Sequence, residues 1–231
     1  MIVAIIPARG GSKRIKNKNI KKFYSKPILY WTLKALKKSK LFSKIVLTTD
    51  NYQIKILAKK LGIDCIISRP DYLADDYTGT KPVIEHAIVN LREKFKIKYV
   101  CCVYPCNPLL ETSDLKESFR ILKNNDDNFV LPVAQFQRPI QRAFKLGIEN
   151  KIIFFNKKNQ LKRTQDLVKY YYDAGQFYWG SVNSWLSKKE ILSNAIGLIL
   201  PESRSVDIDN VDDWNLAKLK FKIKIKKNKI L

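Results

Sequence analysis

Five short apolar runs recur through the first part of the chain: IVAII (2–6), KIVLTT (44–49), CIIS (65–68), YVCCVY (99–104) and FVLPVA (129–134). Between most of them lie stretches whose apolar residues return at helical spacing, beginning at Pro27, Tyr52, Lys81 and Ser113. Each stretch opens at or near a Pro, Asn or Ser, residues suited to helix entry, and Gly62 closes the second. Strands that alternate with helices have one economical solution, a mainly parallel sheet covered by helices on both faces. The expected fold class is therefore α/β and Rossmann-like. At 231 residues, 45% of them hydrophobic, the chain can bury one large core.

The alternation lapses after Ala134. From 135 to 180 the sequence carries shorter β-like pieces, KIIFF and QFYWG, around the polar segment KKNQLKRTQDLVKYYY, which predicts an insertion or flap. A last strand, IGLIL, leads through PESRSVDIDN into a closing helix, VDDWNLAKLKF, where Asn210 and Asp213 have the spacing of a capping box. Residues 1–219 thus read as a single domain. The remainder, 220–231 (KFKIKIKKNKIL), reads as a frayed basic tail.

A formal charge of +23 invites a nucleic-acid-binding reading. The lysines, however, are scattered over every segment, and Trp31, Trp179 and Trp185 sit in apolar helix or strand patterns rather than among cations. A positive field of this size would also steer a polyanionic small substrate. Cys65, Cys101, Cys102 and Cys106 fall in apolar runs without zinc-binding spacing, and His86 lies in a helical pattern with no nucleophile motif beside it. No run of eighteen uncharged apolar residues occurs, so a soluble, cytoplasmic protein with no membrane partner is expected.

Chemistry gathers in three places. In PARGGSKRIKNKN the first strand runs into Gly10 and Gly11, whose backbone N–H groups can approach an anion closely, surrounded by Arg9, Ser12, Lys13, Arg14, Lys16 and Lys18. This is the chemistry of a polyphosphate cradle, although neither a Walker A loop nor a dinucleotide fingerprint is present. In SVDIDN, side-chain alternation turns Asp207 and Asp209 the same way and Ile208 into the core. Two such carboxylates suit Mg2+, which takes one or two of them together with phosphate oxygens. Cationic loop and carboxylate pair together suggest nucleotidyl or phosphoryl transfer. The third place, between Arg138 and Gln176, is rich in donors (Gln141, Arg142, Arg163, Gln165, Gln176) that fit a carboxylated, hydroxylated substrate.

Taken in order, PARGGSKRIKNKNI, LTTD, RPDYLADDYTGT, YPCNPLL and SVDIDNVDDW resemble the CMP-sugar-acid synthetases, the cytidylyltransferases of nonulosonic acids. Within that group QRAF (141–144), RTQDL (163–167) and DAGQFYWG (173–180) are most similar to the pseudaminic acid branch. The likeness extends to about Leu219. It implies a GT-A-like fold, a homodimer in which the insertion reaches across, and transfer of CMP from CTP to a sugar acid. Sialic, legionaminic or Kdo-type acids are the alternative acceptors.

By motif, the resemblance gives Arg9, Gly10, Gly11, Ser12 and Lys13 to the CTP phosphates, and Lys18 to the charge near the α-phosphate. Asn19, Arg69 and Thr80 would contact the nucleoside, and Asp207 and Asp209 would bind magnesium. Arg9, Lys18 and Asp209 form the catalytic set. Tyr104, Gln141, Arg142, Arg163, Gln165, Asp173 and Gln176 would face the sugar. The chain departs from the sialic acid branch at Tyr104, where that branch tends to carry Gln, and at Cys106 and Asn107. Thr164 stands where the pseudaminic branch usually has Ser.

Overall fold

The computed structural model describes residues 1–230, with the side chains of 227–230 outside the description. Its centre is an eight-stranded sheet. Strands β1 (Ile2–Pro7), β2 (Lys44–Thr49), β3 (Cys65–Ser68) and β4 (Tyr99–Val103) are parallel, with β1 between β2 and β4, and β3 outside β2. They are joined through helices α1 (Ile28–Ser39), α2 (Tyr52–Lys60) and α3 (Thr80–Arg92). Helix α4 (Thr112–Lys123) leads on to β5 (Phe129–Gln135). The expected runs and the observed elements agree to within a residue or two.

Side-chain alternation explains why both faces are covered. Ala4 and Ile6 of β1 point to a core shared with Leu29, Leu33 and Leu36 of α1, Ile54 and Ala58 of α2, and Leu115 and Leu122 of α4. Val3 and Ile5 point the other way, into a second core with Ile84, Ala87 and Ile88 of α3 and with Trp185 of the short helix α5 (Val182–Leu186). Asn51 caps α2, its side chain accepting the Ile54 N–H at 3.0 Å. His86 sits half-buried on α3, and Cys101 and Cys102 are fully buried in β4.

The region 135–180 differs from the expected flap. Only its middle projects, as an arm carrying a small hairpin, Phe144–Leu146 with Ile152–Phe154. The rest returns to the sheet as β6 (Tyr171–Asp173) and β7 (Phe177–Ser181). Both run antiparallel to β5, and β7 also pairs antiparallel with β4. QFYWG is therefore core, with Phe177 and Trp179 fully buried. The register of the two strands against β5 differs by three residues, so Ala174–Gln176 form a bulge between them. Strand β8 (Ala195–Leu200) runs parallel along β5.

After β8 an irregular strap leads to α6 (Val211–Ile230). The expected capping box forms: Asn210 Oδ1 accepts the Asp213 N–H, and Asp213 Oδ2 accepts the Asn210 N–H, both at 3.0 Å. The expected frayed tail is instead helix as far as Ile230, while Leu231 lies outside the described residues. Its anchor is Phe221, which packs edge-on against Phe23 and Trp31. Phe221 belongs to a third apolar cluster that also holds Ile15, Ile28, Leu109, Ile208 and Trp214.

Candidate active site

The parallel strands end together at one edge of the sheet, where open α/β sheets bind ligands. Pro7 closes β1, Arg69 follows β3 and Tyr104 follows β4, and all three line a cleft of about 650 Å3. A second chamber of about 570 Å3 continues from it, sharing Thr80, Tyr104, Asp173 and Tyr178.

One wall is the loop after β1, which contributes Arg9, Ser12, Lys13, Arg14, Lys18 and Asn19. Gly10 acts differently from the expected anion cradle. The Gly10 N–H donates to Asp50 Oδ1 at 2.9 Å, and a Cβ there would lie 2.7 Å from the Asn51 side chain, so glycine is required by close packing. Neither Gly10 nor Gly11 has a positive φ, and neither lines the cleft. The cations are instead held by counter-charges across the opening. Asp76 pairs with Arg9 at 2.8 Å and with Lys13, and these contacts, Lys13 foremost, hold its carboxyl below the usual range.

The opposite wall is the strap. Ile208 is buried, whereas Asp207 and Asp209 on either side of it face the cleft, as alternation predicts, although the segment pairs with no strand. Arg14 reaches Asp209 at 2.8 Å. Lys18 donates to the Ile208 carbonyl at 2.6 Å and stands 3.7 Å from Asp209. The two walls therefore meet through Arg14 and Lys18. Crowding by the protein, and then the charge of Asp209, raise the Asp207 carboxyl above the ordinary carboxylate range.

The donor set fits a hard divalent cation, which would relieve that repulsion. Among the described residues no group of three or more His, Cys, Asp or Glu side chains gathers around a common point, so the remaining oxygens would come from a ligand such as a phosphate.

Arg69 forms the floor. It is 7% exposed, and its guanidinium donates to the Thr48 carbonyl at 3.1 Å while Nε has no partner. Burial lowers its pKa. An underused buried cation at a cleft floor is a ready anchor for an acceptor-rich ligand. Asn19 lines the cleft with both polar groups engaged, Nδ2 on the Arg9 carbonyl and Oδ1 accepting the Cys106 S–H. Burial pushes the Cys106 thiol up to about 12, which leaves it un-ionised. Asn107 is structural, tying the loop after β4 to the Gln176 carbonyl at 3.1 Å. Tyr104 shares a 2.6 Å hydrogen bond with Thr80, and the Tyr178 hydroxyl donates to Asp173.

Of the expected sugar-facing residues, Tyr104 and Asp173 reach the cleft. Gln141, Arg142, Arg163 and Gln165 lie on the arm, outside both chambers of their own chain. There Gln141 bonds the Val168 carbonyl and Arg163 pairs with Asp166. Gln176 is 1% exposed within the bulge, and its amide donates to the Arg204 carbonyl, so it is placed to hold the strap rather than a ligand. Sequence reasoning assigned no site role to Asp76 or Tyr178. The adjacent acids of RPDYLADDYTGT, facing a loop so rich in cations, were the available sign of Asp76.

A cationic wall opposite a carboxylate pair, at the carboxyl edge of a parallel sheet, is an arrangement suited to a nucleotidyltransferase. Known proteins agree. The sequence pattern of the cytidylyltransferase family matches residues 3–210, and the chain belongs to that family. It is 37% identical over 223 residues to the pseudaminic acid cytidylyltransferase of Campylobacter jejuni subsp. jejuni serotype O:2, covering 96% of each chain. An N-acylneuraminate cytidylyltransferase of Escherichia coli O18:K1:H7 is 28% identical over 99% of this chain and 53% of its own. Among solved structures, CMP:2-keto-3-deoxy-manno-octonic acid synthetase complexed with CTP superposes with a TM-score of 0.67, at 12% identity, over 97% of this chain and 99% of that one.

Proposed function

We propose that this cytidylyltransferase transfers CMP from CTP to the anomeric hydroxyl of pseudaminic acid, releasing pyrophosphate. The observation that carries the reading is the opposition of Arg9, Lys13 and Lys18 to Asp207 and Asp209 across one cleft. Its reach to pseudaminic acid rests on the full-length similarity to enzymes of that name.

Arg9, Ser12 and Lys13 bind the β- and γ-phosphates, and Asp76 releases the two cations as the triphosphate enters. Arg69 and Thr80 hold the nucleoside from below, with Asn19 shaping the wall beside it. Lys18, fixed by the Ile208 carbonyl, neutralises charge at the α-phosphate. The sugar hydroxyl gives up its proton to solvent as its oxygen bonds to the α-phosphorus in line and the bond to the β-phosphate oxygen breaks, and no covalent enzyme intermediate forms. Asp207 and Asp209 would hold Mg2+, which supplies charge neutralisation for the phosphates when bound.

Tyr104 and Asp173 sit where the acceptor enters. Gln141, Arg142, Arg163 and Gln165 would meet it from the arm of a second subunit. That arm exposes Phe144, Leu146, Ile148 and Phe155, an apolar surface suited to burial in a homodimer. Both substrates are small molecules, and neither a nucleic-acid nor a membrane partner is needed. Among the described residues no helix is long and apolar enough to cross a membrane. With CTP as donor, the cytoplasm is the place of action.

Pyrophosphate release with CTP, Mg2+ and a panel of sugar acids tests the reading. Turnover with pseudaminic acid, well above that with N-acetylneuraminic, legionaminic or Kdo-type acids, is expected. Preference for another acid would overturn the substrate, and no CTP-dependent release with any acid would overturn the reaction.

A further inference from the structure

The strap that carries Asp207 and Asp209 lacks a strand partner, yet its backbone is tied down at successive carbonyls. Gln176 Nε2 donates to the Arg204 carbonyl at 2.6 Å. Lys220 Nζ, from α6, donates to the carbonyls of Glu202 at 2.6 Å and Ser205 at 3.2 Å. The Arg204 guanidinium itself reaches both oxygens of Asp114, at 2.9 and 2.7 Å. Asp114 lies on the first turn of α4 and is 6% exposed. A buried ion pair adds little stability over an apolar replacement of the same shape, so what it contributes here is a fixed position for the strap.

The other side of the strap meets the bulge between β6 and β7. Gly175 there has φ +62°, and a Cβ on it would lie 3.0 Å from both Cγ and Oδ2 of Asp207. The Asp207 carboxylate therefore lies against the one residue of the bulge with no side chain. The bulge is in turn held by the Gly175 N–H, which donates to Asp173 Oδ1 at 2.9 Å.

We propose that Arg204, Asp114 and Gln176 are positioning residues that fix the strap so that Asp207 and Asp209 present their oxygens to the cleft, with Gly175 leaving the room Asp207 needs. Arg204, Asp114 and Gln176 lie outside the lining of the cleft and would not touch substrate, whereas Gly175 lines it beside Asp207. The inference rests on the cation-binding reading of the two aspartates, and predicts that cation affinity responds to residues that contact neither cation nor nucleotide.

The test uses the full-length protein with Mn2+ as probe, read by enhanced water-proton relaxation in the presence of CTP. Arg204→Gln and Gly175→Ala should each weaken Mn2+ binding about ten-fold, the usual size of an outer-shell effect on a metal site. Arg204→Lys should restore most of the loss, and the KM for CTP at saturating Mg2+ should stay near wild type. Asp114→Asn, an isosteric change, should act in the same direction if Arg204→Gln fails to fold. Variants that lower only the melting temperature, with Mn2+ affinity unchanged, would overturn the proposal. A wild-type protein without enhancement, or an Asp207→Asn variant that binds Mn2+ as wild type does, would overturn the cation reading and this inference with it.

Discussion

The two walls of the cleft are built on opposite plans. The loop after β1 offers long cationic side chains, of which Lys13, 79% exposed, and Arg14, 67% exposed, are held by counter-charges across the opening. The strap before α6 offers short carboxylates on a backbone clamped by Gln176, Arg204 and Lys220. Exposed ion pairs of the first kind are weak and exchange readily. Short side chains on a fixed backbone lose little freedom when they take up a ligand. Under the proposed function the contrast becomes a division of labour, in which the cationic wall would yield to an incoming triphosphate while the acidic wall keeps its geometry.

Substitutions in each wall can break that contrast. The largest effect should come from Asp209→Asn, with turnover down by at least about a hundred-fold in a pyrophosphate assay and circular dichroism unchanged. Wild-type activity would remove the acidic wall from catalysis. Arg9→Ala should raise the KM for CTP about ten-fold, the cost of one charge-assisted hydrogen bond, with kcat less affected. A fall confined to kcat would mean that the cationic wall is as rigid as the acidic one.

Asp76→Asn should act the other way, lowering the KM for CTP a few-fold at low ionic strength, because it removes the carboxylate that competes for Arg9 and Lys13. The gain should fade as salt screens these exposed groups.

The smallest effect is on stability. The Asp207 carboxyl is raised in the fold relative to the unfolded chain, so at neutral pH the folded state bears an ionised group that it disfavours. The contribution of Asp207 to stability therefore falls as pH rises from the ordinary carboxylate value through the raised one. Asp207→Asn should melt slightly higher than wild type at pH 7 and equal it below the ordinary carboxylate range. A variant less stable at pH 7 would contradict the strain assigned to this side chain.

What was legible in the sequence was local. Apolar runs and helical spacing give β1 to β5 and α1 to α4, because period and capping residues act within a few positions. The Asn210–Asp213 box and the inward Ile208 between two outward aspartates are legible for the same reason. The misreadings all involve partners distant in sequence. Gly10 is fixed by Asn51, a contact no local pattern records. QFYWG follows a polar segment and so resembled part of the flap, although it inserts between β4 and β5. Gln176 reads as a ligand donor because its chemistry suits that role, whereas burial within the bulge turns its amide to a backbone carbonyl. The lysine-rich end alternates Lys with Ile rather than following a helical period, and only the docking of Phe221 on Phe23 reveals what it is for.

That docking has a consequence for the chemistry. Ile15 belongs to the cationic loop and Ile208 to the acidic strap, and both are rooted in the cluster that α6 completes with Trp214 and Phe221. The jaws that would grip a nucleotide thus share one greasy hinge-pin, and loosening it at Phe221, far from any reacting atom, would unseat the two together.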